Sequence, residues 1–134
     1  MLVWQAENSG PGGYFGHLCR YIVLGRAPQE LVDMVGFTLE AQQFTQSLLK
    51  PGAACADIFA EYNAYMKGKG WAEEKRLHCH GQGYENVERP LIRNDEPMKI
   101  AAHMNIGIHP IAANARVAAT ICDNFLTLEN GNIE

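Results

Sequence analysis

The sequence predicts an α+β fold, with two helices packed on one face of a mostly antiparallel sheet. Three observations predict it. Apolar residues recur at 3- and 4-residue steps from Leu31 to Leu48, and a second such face follows from Ile58 to Met66. Segments rich in aromatic and β-branched residues flank that helical pair, in Tyr14 to Leu24 before it and from Met104 onward after it. No linker, low-complexity run or internal repeat divides the 134 residues, so a single domain spanning 1–134 accommodates the chain.

Met1 to Ala6 is short, apolar and strand-like. It begins a strand at once, so earlier elements of the domain are expected to lie outside this chain. Glu7 to Gly13, with Gly10-Pro11-Gly12-Gly13 at its end, reads as a turn, and Tyr14 to Leu24 as the returning strand of a hairpin. Pro28 suits a first helical residue. The helix it opens carries Leu31, Met34, Val35, Thr38, Ala41, Phe44 and Leu48 on one side and stops at Pro51-Gly52. The second helix runs from about Cys55 to Lys67, with Ile58, Phe59, Tyr62, Tyr65 and Met66 on one face, and Gly68 and Gly70 end it. Both faces need a covering partner.

After Trp71 comes a charged turn, Ala72 to Arg76, and then the segment richest in chemistry. His78 to Pro90 holds two of the five histidines, one of the four cysteines, two carboxylates and two glycines. It reads as a strand-to-loop wall of a site, the glycines permitting sharp turns and close approach. Leu91 to Pro97 reads as a polar loop. Met98 to Ala102 suits a short strand or a short helix equally. Met104 to Pro110 alternates as a strand. Arg116 to Leu128 reads as one more strand with a bulge, ending at Glu129-Asn130-Gly131.

A net charge of −4 and the lack of a basic run or helix face exclude a nucleic-acid binder. No apolar run approaches the roughly 20 residues that cross a bilayer, and no secretory pattern opens the chain. Cys19, Cys55, Cys79 and Cys122 are scattered without a C-x-x-C, which fits reduced thiols in the cytoplasm. His17, His80, His109 and Cys122 lie on different predicted elements and meet only if tertiary folding brings them together. Imidazoles with one thiolate suit zinc better than a hard cation. Spacing alone does not separate such a site from scattered core or surface residues.

His80-Gly81-Gln82-Gly83-Tyr84-Glu85-Asn86-Val87-Glu88 is similar to an H-G-x-G-x-x-x-H-E motif. Gly13 to Arg20 is similar to G-Y-x-S-D-x-T-R, and Met104 to Pro110 to M-x-x-x-x-E-P. Ile121 to Gly131 is similar to I-E-D-x-x-x-V-T-x-x-G, and Gly36 to Gly52, with Glu40-Ala41-Gln42 and Lys50-Pro51-Gly52, to a long helix followed by P-G. In this order the motifs resemble those of the pita-bread metallohydrolases, the family of creatinase, Xaa-Pro aminopeptidase, prolidase and methionine aminopeptidase. The resemblance implies a curved, mostly antiparallel sheet. It also implies that the chain covers the later part of a catalytic domain, without its N-terminal elements or last strand. It implies hydrolysis of a peptide or small amide, next to proline or at a related C–N bond, by a metal-activated water. Since members of that family are commonly dimers, it implies a homo-oligomer as well.

The family's two metal ions are held by two Asp, one His and two Glu. Carried over, the His is His80, the second Asp falls on His17, the Glu before Pro on His109, and the last Glu on Cys122. The first Asp falls on Ala6, with Glu7 beside it; the second motif His is Val87, and Glu88 keeps the acidic position. The implied site is therefore a converted one, a single divalent transition metal, zinc, on His17, His80, His109 and Cys122. Four closed ligands would make it structural, and an open position would make it catalytic. In the catalytic case Glu85 or Glu88 serves as general base, His109 stands among the catalytic candidates, and Arg20 or Arg89 holds a substrate carboxylate. Two other readings stand beside it: a non-catalytic binding or structural module, and a creatinase-like small-molecule hydrolase that works without the metal pair.

Overall fold

The computed structural model describes residues 1–131 and 133. The chain forms β1 (Leu2–Ser9), β2 (Phe15–Ile22), α1 (Gln29–Leu48), α2 (Cys55–Gly68), β3 (Cys79–Gly81), β4 (Glu88–Leu91), β5 (Asn105–Ile108), β6 (Ile111–Ala113), β7 (Ala118–Thr120) and β8 (Asp123–Leu126). Every strand pairing among them is antiparallel. The α+β class holds, and the hairpin, both helices and the strand from Met104 stand where the sequence places them.

Three boundaries differ. β1 continues through Glu7 and Asn8 to Ser9, so the turn begins only at Gly10. Gly12 and Gly13 adopt φ of +80° and +84°, which an L side chain resists, and this tightens the reversal enough to keep three more residues in the ladder. The predicted strand from Arg116 to Leu128 is two strands, β7 and β8, and β6 precedes them as a partner for β7. Met98 to Ala102 is neither strand nor helix; Lys99 makes a single bridge to Ala54 at the entry of α2.

The central sheet has the order β4-β3-β5-β8. The β1–β2 hairpin extends it past β8: Cys19 bridges Cys122, its amide donating to the Cys122 carbonyl at 3.2 Å. At the other end of the hairpin the Phe15 amide donates to the Gly83 carbonyl at 2.8 Å. Together these contacts lay β2 beside β8, with its first residue against Gly83.

Helix α1 buries Leu31, Met34, Thr38, Ala41, Gln42 and Thr45, while Val35, Phe44 and Leu48 are only half-buried. The buried hydroxyls return to the helix backbone, Thr38 to the Val35 carbonyl and Thr45 to the Ala41 carbonyl. Gln42 reaches the sheet, donating to the Ile108 carbonyl at 3.3 Å and to Asp123 Oδ2 at 3.1 Å. Helix α2 buries Cys55, Ile58, Tyr62 and Met66, one side of the helix. Leu49, Cys55, Ile58, Cys79, Ile92, Ile100, Ile106 and Ile108 form the main core between helices and sheet. The β1–β2 hairpin keeps apolar side chains exposed: Leu2, Val3, Trp4 and Ile22, with Leu24 just beyond it.

Candidate metal centre

Antiparallel pairing sets His80 of β3 opposite Gly107 of β5, and Gly107 opposite Asn124 of β8. Gly107 leaves room that a side chain would take: a Cβ there would stand 3.4 Å from His80 Cε1 and 3.6 Å from His17 Nδ1. His17 comes from β2, which the Cys19–Cys122 bridge holds against β8. His109 follows β5 directly, its amide donating to the His78 carbonyl at 2.8 Å. The three rings converge, with centroids 6.0 Å apart for His17 and His80, 5.4 Å for His17 and His109, and 5.0 Å for His80 and His109. Each offers a nitrogen, and these nitrogens lie within 4.8 Å of one another.

The hydrogen bonds assign nitrogens to roles. His80 Nδ1 lies 2.8 Å from the Gly81 carbonyl and donates to it, which leaves Nε2 as the lone-pair nitrogen. His17 Nε2 lies 2.9 Å from Glu7 Oε1, and His17 Nδ1 is buried without a hydrogen-bond partner. Burial favours the neutral form of His80 and His109, the form that ligation requires. His109 is lowered to about 4, by burial first and then by the neighbouring His80 and His17; His80 is lowered too, mainly by burial.

This donor set fits a divalent ion. Zinc–imidazole bonds of about 2.0–2.1 Å in a tetrahedron need nitrogens roughly 3.4 Å apart. Nitrogens within 4.8 Å of one another stand at most about 1.4 Å beyond that spacing. An orphaned nitrogen such as His17 Nδ1 is costly to bury unless something takes its lone pair.

The fourth predicted ligand stands apart. Cys122 is buried and lines the same pocket, but its sulfur is not part of the three-nitrogen group. Burial pushes its thiol up to about 12, with the neighbouring Cys19 adding to the rise. Glu85 and Glu88 do not line the pocket; Glu88 folds back on its own loop, accepting the Glu85 amide at 2.6 Å. Arg20 fastens β2 to β8, donating to the Cys19 and Cys122 carbonyls at 2.8 and 3.0 Å and pairing with Asp123. Arg89 pairs with Glu96 and also lies outside the pocket lining. Of the two remaining histidines, His78 is fully buried and stacks on Tyr62 with centroids 3.4 Å apart.

The pocket over the histidines measures about 340 Å³. Residues to which the sequence reading gave no role complete it, among them Gln5, Glu7, Glu74, Arg76 and Asn86. Glu7 was the recoverable one. Once β1 runs to Ser9, antiparallel register puts Glu7 directly opposite His17. A polar chain then joins Glu7 to the sheet. Asn86 Nδ2 donates to Glu7 Oε2 at 2.7 Å, Gln82 Nε2 to Asn86 Oδ1 at 2.8 Å, and Asn124 Nδ2 to Gln82 Oε1 at 2.5 Å. Asn124 Oδ1 accepts the His17 amide at 2.6 Å and closes the circuit.

Comparison with known proteins agrees with this architecture. The family model described as metallopeptidase family M24 matches residues 9–129. A methionine aminopeptidase of Chlamydia pneumoniae is 26% identical over 102 residues, covering 74% of this chain and 35% of its own. The dipeptidase PepE of Mycobacterium ulcerans superposes with a TM-score of 0.84 at 22% identity, over 98% of this chain and 36% of that one. The prolidase of Pyrococcus furiosus does so with a TM-score of 0.79 at 23% identity, over 92% and 37%. The fold is that of the pita-bread proteins, and the chain spans about a third of the length of these relatives. Among the described residues no helix is long and apolar enough to cross a membrane.

Proposed function

Because the chain belongs to metallopeptidase family M24, we propose that it is a divergent metallohydrolase acting on amide bonds of peptides, with Xaa-Pro dipeptides the substrates to try first. The observation that carries this reading is the convergence of His17, His80 and His109 on one point at the floor of a pocket. His17 and His109 stand at positions where the family motifs carry acidic ligands, so a single soft ion, zinc, replaces the family's pair. When bound, it supplies Lewis acidity, polarising a carbonyl and acidifying water.

The chain's own residues do the rest. The three imidazoles hold the ion, and Cys122 stays beside them as a neutral thiol in the pocket wall. Glu7 and Glu74 are the carboxylates that line the pocket; Glu7 is engaged with His17, so proton transfer falls to Glu74 rather than to Glu85 or Glu88. Arg76, which also lines it, can hold a substrate carboxylate in place of Arg20 or Arg89, whose guanidinium groups already pair with Asp123 and Glu96. Four free, buried cysteines suit a reducing cytoplasm. The exposed apolar side chains of the hairpin support a homo-oligomer, and a monomer by light scattering would oppose that part of the reading.

The test is hydrolysis of a panel of Xaa-Pro dipeptides and creatine-like amidines by zinc-loaded protein. Turnover of dipeptides that a chelator abolishes and zinc restores is the expected result. Turnover of amidines that survives the chelator would favour a metal-independent hydrolase. Zinc binding without turnover of either would favour a binding module.

A further inference from the structure

Among the described residues, one carboxylate bonds to the histidine cluster, that of Glu7. Glu7 Oε1 lies 2.9 Å from His17 Nε2. The contact occupies the outer nitrogen of the ring. The inner nitrogen, Nδ1, is buried, has no hydrogen-bond partner, and lies over Gly107 beside His80. We infer that Glu7 is the positioning residue of the centre: it accepts the Nε2–H of His17, and so fixes the tautomer that turns the Nδ1 lone pair toward the ion. The inference rests on the metal site proposed above and deepens it.

Glu7 is built for that task. Its carboxylate is held on three sides, by His17, by Asn86 Nδ2 at 2.7 Å on Oε2, and by the Gln5 amide on Oε1. With Asn86 and Gln5 donating to it, the carboxylate serves as an acceptor, and an acceptor at Nε2 demands that His17 carry its proton there. Asn86 is itself held by Gln82, and Gln82 by Asn124, which also accepts the His17 amide. Ring and carboxylate are thus referred to the same strand, β8. A carboxylate behind a ligating imidazole raises its basicity and fixes its plane, and losing one costs about 10–100-fold in metal affinity.

The experiment combines two readouts. In metal-free wild-type protein, long-range ¹⁵N–¹H correlation spectra should show His17 protonated at Nε2; protonation at Nδ1 would overturn the inference without any substitution. Zinc and cobalt affinities are then measured by chelator competition for the wild type, Glu7→Gln and Glu7→Ala. The Ala variant should bind about 10–100-fold more weakly, with Gln between it and the wild type, since its amide oxygen can still accept the Nε2–H. Equal affinity in all three, with the wild type binding, overturns the role of Glu7 and leaves the metal site standing. A wild type that binds neither ion overturns both.

Discussion

Removing the carboxylate of Glu96 should destabilise the fold far more than its place in a polar loop implies. Glu96 is 6% exposed and accepts four hydrogen bonds: from Arg89 Nε at 3.0 Å, from Arg89 Nη2, and from the Leu91 and Met98 amides at 3.1 Å each. It thereby ties β4, which lies beside the His80 strand, to the chain that returns toward β5. The Arg89 guanidinium is exposed and recovers its hydration when the partner goes, so that arm adds little. The two backbone amides, on half-buried residues, recover less of theirs. Charge-assisted bonds are worth about 1.5–3 kcal/mol each and overlap when they share one acceptor, so Glu96→Ala should cost about 3 kcal/mol. For a chain of this size that is a fall in Tm of roughly 10 °C. Urea unfolding followed by circular dichroism reads it directly. The acid arm of the experiment has a defined sign. The Arg89 guanidinium, with the Leu91 and Met98 amides, holds Glu96 at about 2 against the upward pull of burial. A depressed carboxylate stabilises above its ordinary value of 4.5, and that contribution is lost as pH falls from there through about 2. The gap between the wild type and Glu96→Gln should therefore narrow across that window. A Glu96→Ala protein within 0.5 kcal/mol of the wild type, a bound set roughly at the size of an ordinary surface substitution, would refute the reasoning.

Two further outcomes are expected. Gly81→Ala should cost roughly 3 kcal/mol because its Cβ would stand 2.6 Å from the Arg89 carbonyl oxygen, whose backbone has to move. Gly83→Ala should cost only about 1 kcal/mol, since it meets the end of the Glu88 side chain, which swings away at the loss of one hydrogen bond; thermal unfolding of the pair checks the contrast. Metal-free protein should lose stability as pH falls from about 6.5 toward about 4, because the unfolded chain takes up a proton that His109 in the folded chain refuses. Its share is at most about 1.4 kcal/mol per pH unit, and denaturant titrations at several pH values should show the slope flattened in His109→Gln.

The fold was legible because its signals are periodic or stereochemical. The 3- and 4-residue steps of Leu31 to Leu48, the Pro51-Gly52 stop and the Gly-rich hairpin each carry their own physical reason. The division of Arg116 to Leu128 into β7 and β8 was not legible. It depends on β6 as a partner, and strand pairing is a tertiary property that a single β-rich segment does not announce. The approach of His17, His80 and His109 was available only through motif order, since the first two lie on separate strands and the third just past another. Glu7 went unassigned because its role depends on register. A turn beginning at residue 7 leaves it in solvent, while a turn beginning at Gly10 sets it against His17. The pairings of Arg20 and Arg89 were hidden for a similar reason, because Asp123 and Glu96 meet them only through β8 and the loop after β4.

The account stands or falls on whether the three imidazoles bind one metal ion. Elemental analysis of protein purified without an affinity tag, combined with zinc-edge absorption spectroscopy, tests this most directly. The account predicts zinc near one equivalent per chain, a first shell that includes three imidazole nitrogens, and loss of the ion in His80→Ala. A content below roughly a tenth of an equivalent after zinc is offered, in folded protein that should hold a structural or catalytic zinc tightly, would contradict it.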